Sequence, residues 1–143
     1  MNILEIKNFS KTYKGNKKAV DNLSITVEAG DIYGFIGHNG AGKTTLIRLI
    51  CGLQEPDSGS YRIYGIKNTD PQIVRSRRRM GAVVETPSIY LDMNARDNIR
   101  QQYQILGIPS ENGIDELLQL VGLSDTGNKK AKNFSLGMRQ RLV

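Results

Sequence analysis

Gly37-His38-Asn39-Gly40-Ala41-Gly42-Lys43-Thr44 is the stretch whose reading decides the fold. It has the form of a phosphate-binding loop, with four residues between Gly37 and Gly42 and with Lys43 and Thr44 directly after. Glycines at these places let backbone N–H groups curl round an anion without Cβ collisions. Lys43 is placed to reach the β- and γ-phosphates of a nucleotide. The Thr44 hydroxyl is placed to complete the coordination of a Mg²⁺ ion, which keeps most of its waters. The plain alternative is a flexible glycine turn with a solvated lysine. A lysine at a positive helix N-terminus has the wrong sign, however, unless an anion is present.

The flanks supply the setting such a loop requires. Upstream, Asp31-Ile32-Tyr33-Gly34-Phe35-Ile36 reads as a short buried strand entering the loop, and downstream Thr44 to Ile50 reads as a helix leaving it. Earlier still, residues 3–9 and Leu23 to Glu28 have the alternating pattern of half-buried strands, joined through a polar turn at residues 13–18. Tyr13 closes the first of them. On residue chemistry alone a tyrosine there is ordinary edge packing, with stacking on a nucleotide base as the other reading.

After the helix, Gly52 to Gly59 is a dense cluster of breakers. Ser60 to Tyr64 reads as a strand, Pro71 opens a short helix running to about Arg78, and Met80 to Val84 reads as a small buried strand. The pattern turns helical beyond Glu85-Thr86-Pro87. Asn94 to Asp97 has the form of a helix cap, with the helix closed near Leu106 by Gly107 and Pro109. Ile114, Leu117, Leu118 and Val121 recur at helical spacing before Gly122, and Ser135 suits the N-cap of a last helix.

Composition sets outer bounds. A chain of 143 residues supports one ordinary domain, and 38% hydrophobic with 24% charged residues describe a soluble protein without a transmembrane span or signal peptide, hence cytosolic. Cys51 is the single cysteine, which excludes an intramolecular disulfide and suggests a small buried core residue. The net charge of +6 raises nucleic acid as a partner. It is not expected, because the basic residues are scattered except for Arg75, Arg77, Arg78 and Arg79, and aromatic interleaving is missing there. Those arginines read as a solvated helix end.

Taken in order, these segments resemble the ATP-binding subunit of an ABC transporter over essentially the whole chain. The resemblance implies an α/β P-loop NTPase fold, here an incomplete ABC ATPase domain with an antiparallel β portion, a partial core sheet and a helical subdomain. Residues 1–85 would form the ATP-binding core and residues 86–143 the helical subdomain with the signature motif. Tyr13 falls where the family places the aromatic that stacks on adenine, which favours its functional reading. Asn39, Gly40, Ala41, Gly42, Lys43, Thr44 and Thr45 match the phosphate-binding segment. Ser135-Leu136-Gly137-Met138-Arg139-Gln140 looks like the signature motif, which faces the γ-phosphate bound by a second subunit.

Departures from the family pattern matter. The family usually has Gly where Leu136 stands and Gln where Met138 stands; Ser135 and Gly137 agree and are kept as nucleotide contacts, and Met138 is not. Glu85 occupies the position of the family's Q-loop glutamine. There it would serve with Lys43 in catalysis and with Thr44 as a Mg²⁺ ligand, the alternative being a solvated loop carboxylate. With the Ser-Leu-Gly-Met signature, this glutamate looks like the bacitracin-export and lantibiotic-immunity branch. His38 occupies a spacer and reads as exposed and non-catalytic.

The family's strand ending in Asp-Glu and its switch histidine fall beyond Val143, so the sequence resembles an N-terminal piece of an ATPase. The expectation for such a piece is weak nucleotide binding at most, no turnover, and self-association through uncovered apolar segments such as Met80 to Val84. ATP and Mg²⁺ are the implied cofactors. A membrane-spanning subunit and a second ATP-binding subunit, as a homodimer, are the implied partners at the inner face of the membrane. The main rival is a soluble ABC-type ATPase acting on nucleic acid or ribosomes. A P-loop kinase or GTPase explains neither Tyr13 nor the signature segment, and a regulatory domain that holds nucleotide without turnover is the blandest option.

Overall fold

A computed structural model describes all residues, Met1–Val143. They fall into two units, Met1–Val84 and Glu85–Val143. The first is built on a four-stranded antiparallel sheet in the order β2-β1-β3-β4, where β1 is Asn2–Tyr13, β2 Lys17–Glu28, β3 Ser58–Ile63 and β4 Ile66–Lys67. The hairpin turns through Gly15 and Asn16, both at positive φ, and pairs Tyr13 with Lys17.

β1 and β2 are longer than the alternation suggests because two asparagines absorb a fault in the register. Asn8 (φ 52°) and Asn22 (φ 48°) take the left-handed conformation that asparagine tolerates. They are tied side chain to side chain at 2.9 Å, and Ser24 Oγ and Ser10 Oγ accept from their backbone N–H groups, each at 3.0 Å. Gly59 faces the fault: a Cβ there would lie 2.4 Å from the Asn8 carbonyl oxygen.

Helix α1, Lys43–Ile50, lays Leu46 and Leu49 against the sheet. With Ile6, Phe9, Val20, Tyr61, Ile63 and Ile73 they form the core, in which the Phe9 and Tyr61 rings meet edge to face at 5.5 Å. Helix α2, Ile73–Arg77, begins two residues after Pro71, and Asp70 closes the turn leading into it, its carboxylate accepting from Gln72 N at 2.8 Å and its carbonyl from Ile73 N at 2.9 Å. The nearby arginines are not simply solvated. Arg77 donates to the Tyr61 hydroxyl and packs over its ring, and Arg79 lies 3.8 Å over the Tyr64 ring. Cys51 is half-buried rather than fully enclosed, and desolvation pushes its thiol pKa upward.

Two sequence expectations fail. Asp31–Ile36 and Met80–Val84 form no strand, so the expected partial core sheet is not built. Ile32 and Ile36 are almost fully exposed, and Val83 is 49% exposed. A buried strand needs hydrogen-bonding neighbours on its edges, and no strand of this chain pairs with either segment. Apolar content supplies propensity but not a partner.

The second unit is helical: α3 Ala95–Leu106, α4 Ile114–Leu120 and α5 Leu136–Arg141, with single 3₁₀ turns at Ser124–Thr126 and Ala131–Asn133. Asn94 caps α3 by accepting from Asp97 N at 2.8 Å, and Gly107 ends it in the left-handed conformation. Ala95, Ile114, Leu118, Leu123, Ala131, Phe134 and Leu142 form its core. The buried Asn98 side chain accepts from Tyr90 N at 2.7 Å and donates to the carbonyls of Tyr90 and Asn94, holding the segment before α3 against the helix.

Candidate functional site

In the first unit, the hairpin end and the start of α1 enclose a cleft of about 300 Å³ lined by Tyr13, Lys17, Ala19, Asn39, Gly40, Gly42, Lys43, Thr44 and Thr45. Gly42 makes the junction possible. Its φ of 90° suits glycine, and a Cβ would lie 1.9 Å from the Ala19 carbonyl oxygen of β2. The loop therefore closes directly on the hairpin backbone.

The earliest bond at this helix start is from Leu46 N to the Gly42 carbonyl, 2.9 Å. The N–H groups of the first turn have no intrahelical acceptor, so donors and the positive end of the helix dipole are presented together. Lys43 Nζ donates to the carbonyls of Gly37 (2.6 Å) and His38 (2.8 Å), folding its side chain over the loop. An ammonium has three donors, so one remains for a phosphate oxygen. Thr44 lines the same wall. This donor set fits a polyphosphate, and the Thr44 hydroxyl fits one position of a Mg²⁺ shell.

Tyr13 stands at the mouth of the cleft, 38% exposed. Its hydroxyl donates to Gln54 Oε1 at 2.7 Å and lies 3.4 Å from Thr45 Oγ1. Hydrogen bonding with Thr45, foremost, holds its phenol pKa below the ordinary value despite some opposing desolvation. The structure thus gathers Tyr13, Asn39, Gly40, Gly42, Lys43, Thr44 and Thr45 in one cleft. Ala41 is exposed and does not line it; Ala41 N donates to the His38 carbonyl at 3.1 Å. His38 is exposed, as its spacer position suggests.

Lys17 and Ala19 join the wall without having been singled out from sequence. The hairpin register is the signal that reveals them, since Lys17 pairs with Tyr13. Glu85, Ser135 and Gly137 belong to the second unit. Glu85 is exposed and holds a positive φ of 64°. Ser135 caps α5, its hydroxyl accepting from Met138 N at 3.2 Å, and a Cβ on exposed Gly137 would meet open space. Arg139 fixes this segment by donating to the carbonyls of Ala131 (3.2 Å) and Lys132 (2.6 Å).

A glycine loop closing on an antiparallel hairpin, with lysine and threonines at the start of the following helix, defines an α/β nucleotide-binding protein of the P-loop class. Residues 20–143 match the family model described as ABC transporter, and the chain belongs to that family. It is 46% identical over 140 residues to the bacitracin transport ATP-binding protein BcrA of Bacillus licheniformis, covering 98% of this chain and 45% of that protein. The lantibiotic transport ATP-binding protein SrtF of Streptococcus pyogenes is 36% identical over 140 residues, with 98% and 58% covered. The chain thus spans about half the length of these curated relatives. A solved ATP-binding subunit of an ABC transporter superposes with a TM-score of 0.80 at 29% identity, covering 98% of this chain and 59% of that one. The ATP-binding cassette MJ0796, in a dimeric post-hydrolysis state with ADP and Pi, gives 0.80 at 25% identity, covering 97% and 66%.

Proposed function

We propose that the chain is the nucleotide-holding part of an ABC transporter ATP-binding subunit that powers export of a peptide antibiotic of the bacitracin or lantibiotic kind. The observation that carries the nucleotide reading is the single cleft lined by both Tyr13 and the Lys43–Thr45 helix start. Adenine stacks on Tyr13, and the phosphates lie on the loop N–H groups and Lys43. The Thr44 hydroxyl would hold Mg²⁺, which when bound would neutralise phosphate charge. The export reading rests on the likeness to BcrA and SrtF.

Residues 1–85 serve as the ATP-binding core and residues 86–143 as the helical subdomain. Ser135 and Gly137 offer a hydroxyl and an open backbone to the γ-phosphate held by a second copy, in keeping with the dimeric MJ0796. Closure of that dimer drives a membrane-spanning subunit and hydrolysis reopens it, a step in which the Glu85 carboxylate would orient the attacking water. No helix of the chain is long and apolar enough to cross a membrane; the membrane-spanning partner holds the subunit at the membrane's inner face.

The test uses the protein at the length of its relatives. Lys43→Ala is expected to abolish ATP turnover and Glu85→Gln to slow it; undiminished turnover in Lys43→Ala contradicts the assignment. Co-purification with a membrane protein supports the transport reading. Salt-sensitive binding to nucleic acid in its place supports a soluble ABC-type ATPase.

A further inference from the structure

We propose that Gln54 is a positioning residue for base recognition, holding the Tyr13 ring in place so that adenine binding depends on the loop that follows α1. The inference rests on the reading of Tyr13 as the adenine platform. Gln54 lies beyond the end of α1, within the Gly52–Gly59 breaker segment.

A strand-end tyrosine 38% exposed has little to stop its ring from turning away from the cleft. The post-helix loop restrains it at two levels. Asp57 fixes the main chain: its N–H donates to the Ser10 carbonyl at 3.0 Å, and its carboxylate accepts from Thr12 N at 2.6 Å and Lys11 Nζ at 2.8 Å. Gln54 fixes the far end of the ring, because the one phenolic proton goes to its Oε1 at 2.7 Å. Thr45 Oγ1, at 3.4 Å, is then left to donate to the same phenol oxygen. The loop itself is folded back on α1 by the bond from Leu53 N to the Arg48 carbonyl, 2.9 Å. The ring is thus spanned between the first turn of α1, which faces the phosphates, and the segment after its last turn. Stacking on one aromatic face is a substantial part of base affinity, so a ring held ready binds a purine better than one that must be ordered on binding.

The experiment titrates isotope-labelled chain with MgATP and, separately, with magnesium tripolyphosphate, which lacks a base. Loop-glycine amides report the phosphates, and shifts of the adenine protons report the ring. Gln54→Leu is expected to weaken MgATP about three- to tenfold, the range one neutral hydrogen bond supports, and to leave tripolyphosphate unchanged. Gln54→Glu, which still accepts the phenolic proton, should restore ATP affinity. Tyr13→Phe, which also loses the Thr45 contact, should weaken MgATP at least as much as Gln54→Leu, and adding Gln54→Leu to it should cost nothing more. Equal weakening of both ligands by Gln54→Leu, or unchanged ATP affinity in Gln54→Leu while Tyr13→Ala loses it, overturns the proposal but leaves the platform reading standing. ATP affinity unchanged in Tyr13→Ala overturns the platform reading itself.

Discussion

Gly42 carries two constraints at once, a backbone at φ 90° and a hairpin carbonyl 1.9 Å from where a Cβ would stand. Gly42→Ala is therefore expected to lose about 2 kcal/mol or more of stability, from backbone strain plus displacement of Ala19, measured by urea denaturation. Loss below about 0.5 kcal/mol would mean that the loop does not close on β2 as described. Asn98 is the counterpart in the second unit. Asn98→Ala strands the N–H of Tyr90 and should cost about 1–3 kcal/mol in the same assay. That Gly40, Gly42, Lys43 and Thr44 line one cleft was legible in the sequence because their placement follows from spacing along one turn. Lys17 and Gln54 were not, because they reach Tyr13 through hairpin register and loop folding, which link residues distant in the chain.

At the scale of elements, the caps were the most readable features. Asn94 and Ser135 each have a side chain suited to the first free N–H groups, and each makes that bond. The predicted strands at residues 31–36 and 80–84 failed for the opposite reason: their sequence is apolar enough, but pairing depends on strands elsewhere. Backbone amides in both segments should exchange with solvent far faster than those of Ile6 or Tyr61 in the paired sheet, measured by hydrogen–deuterium exchange. The Asp57 clamp has a pH signature. Hydrogen bonding from Lys11, then from Thr12 N, holds its carboxyl pKa below the usual value. A depressed folded value contributes stability that is complete above the unfolded carboxylate pKa of about 3.9 and is lost as pH falls through the lower folded value. Thr12 amide protection should therefore hold through neutral pH and fall only below about pH 4; a loss centred near pH 6 to 7 would contradict the clamp.

For the whole molecule, the division into a β-rich unit and a helical one separates the residues expected to meet a nucleotide. Tyr13, Lys43 and Thr44 lie in the first; Glu85, Ser135 and Gly137 lie in the second. The family and its antiparallel portion were legible because several short motifs occur in the right order, which no single motif could establish. The core sheet was not, because it depends on pairing that no segment of this chain supplies. The central proposal is that the cleft between the hairpin and the glycine loop takes one adenine nucleotide. Photolabelling with 8-azido-ATP, followed by tryptic mapping, tests it most directly. Labelling should fall on the peptide containing Tyr13, be displaced by excess ATP, and be lost in Lys43→Ala. Labelling confined to other peptides, or labelling of Tyr13 that survives Lys43→Ala undiminished, would contradict a pocket in which Tyr13 and Lys43 hold the two ends of one molecule.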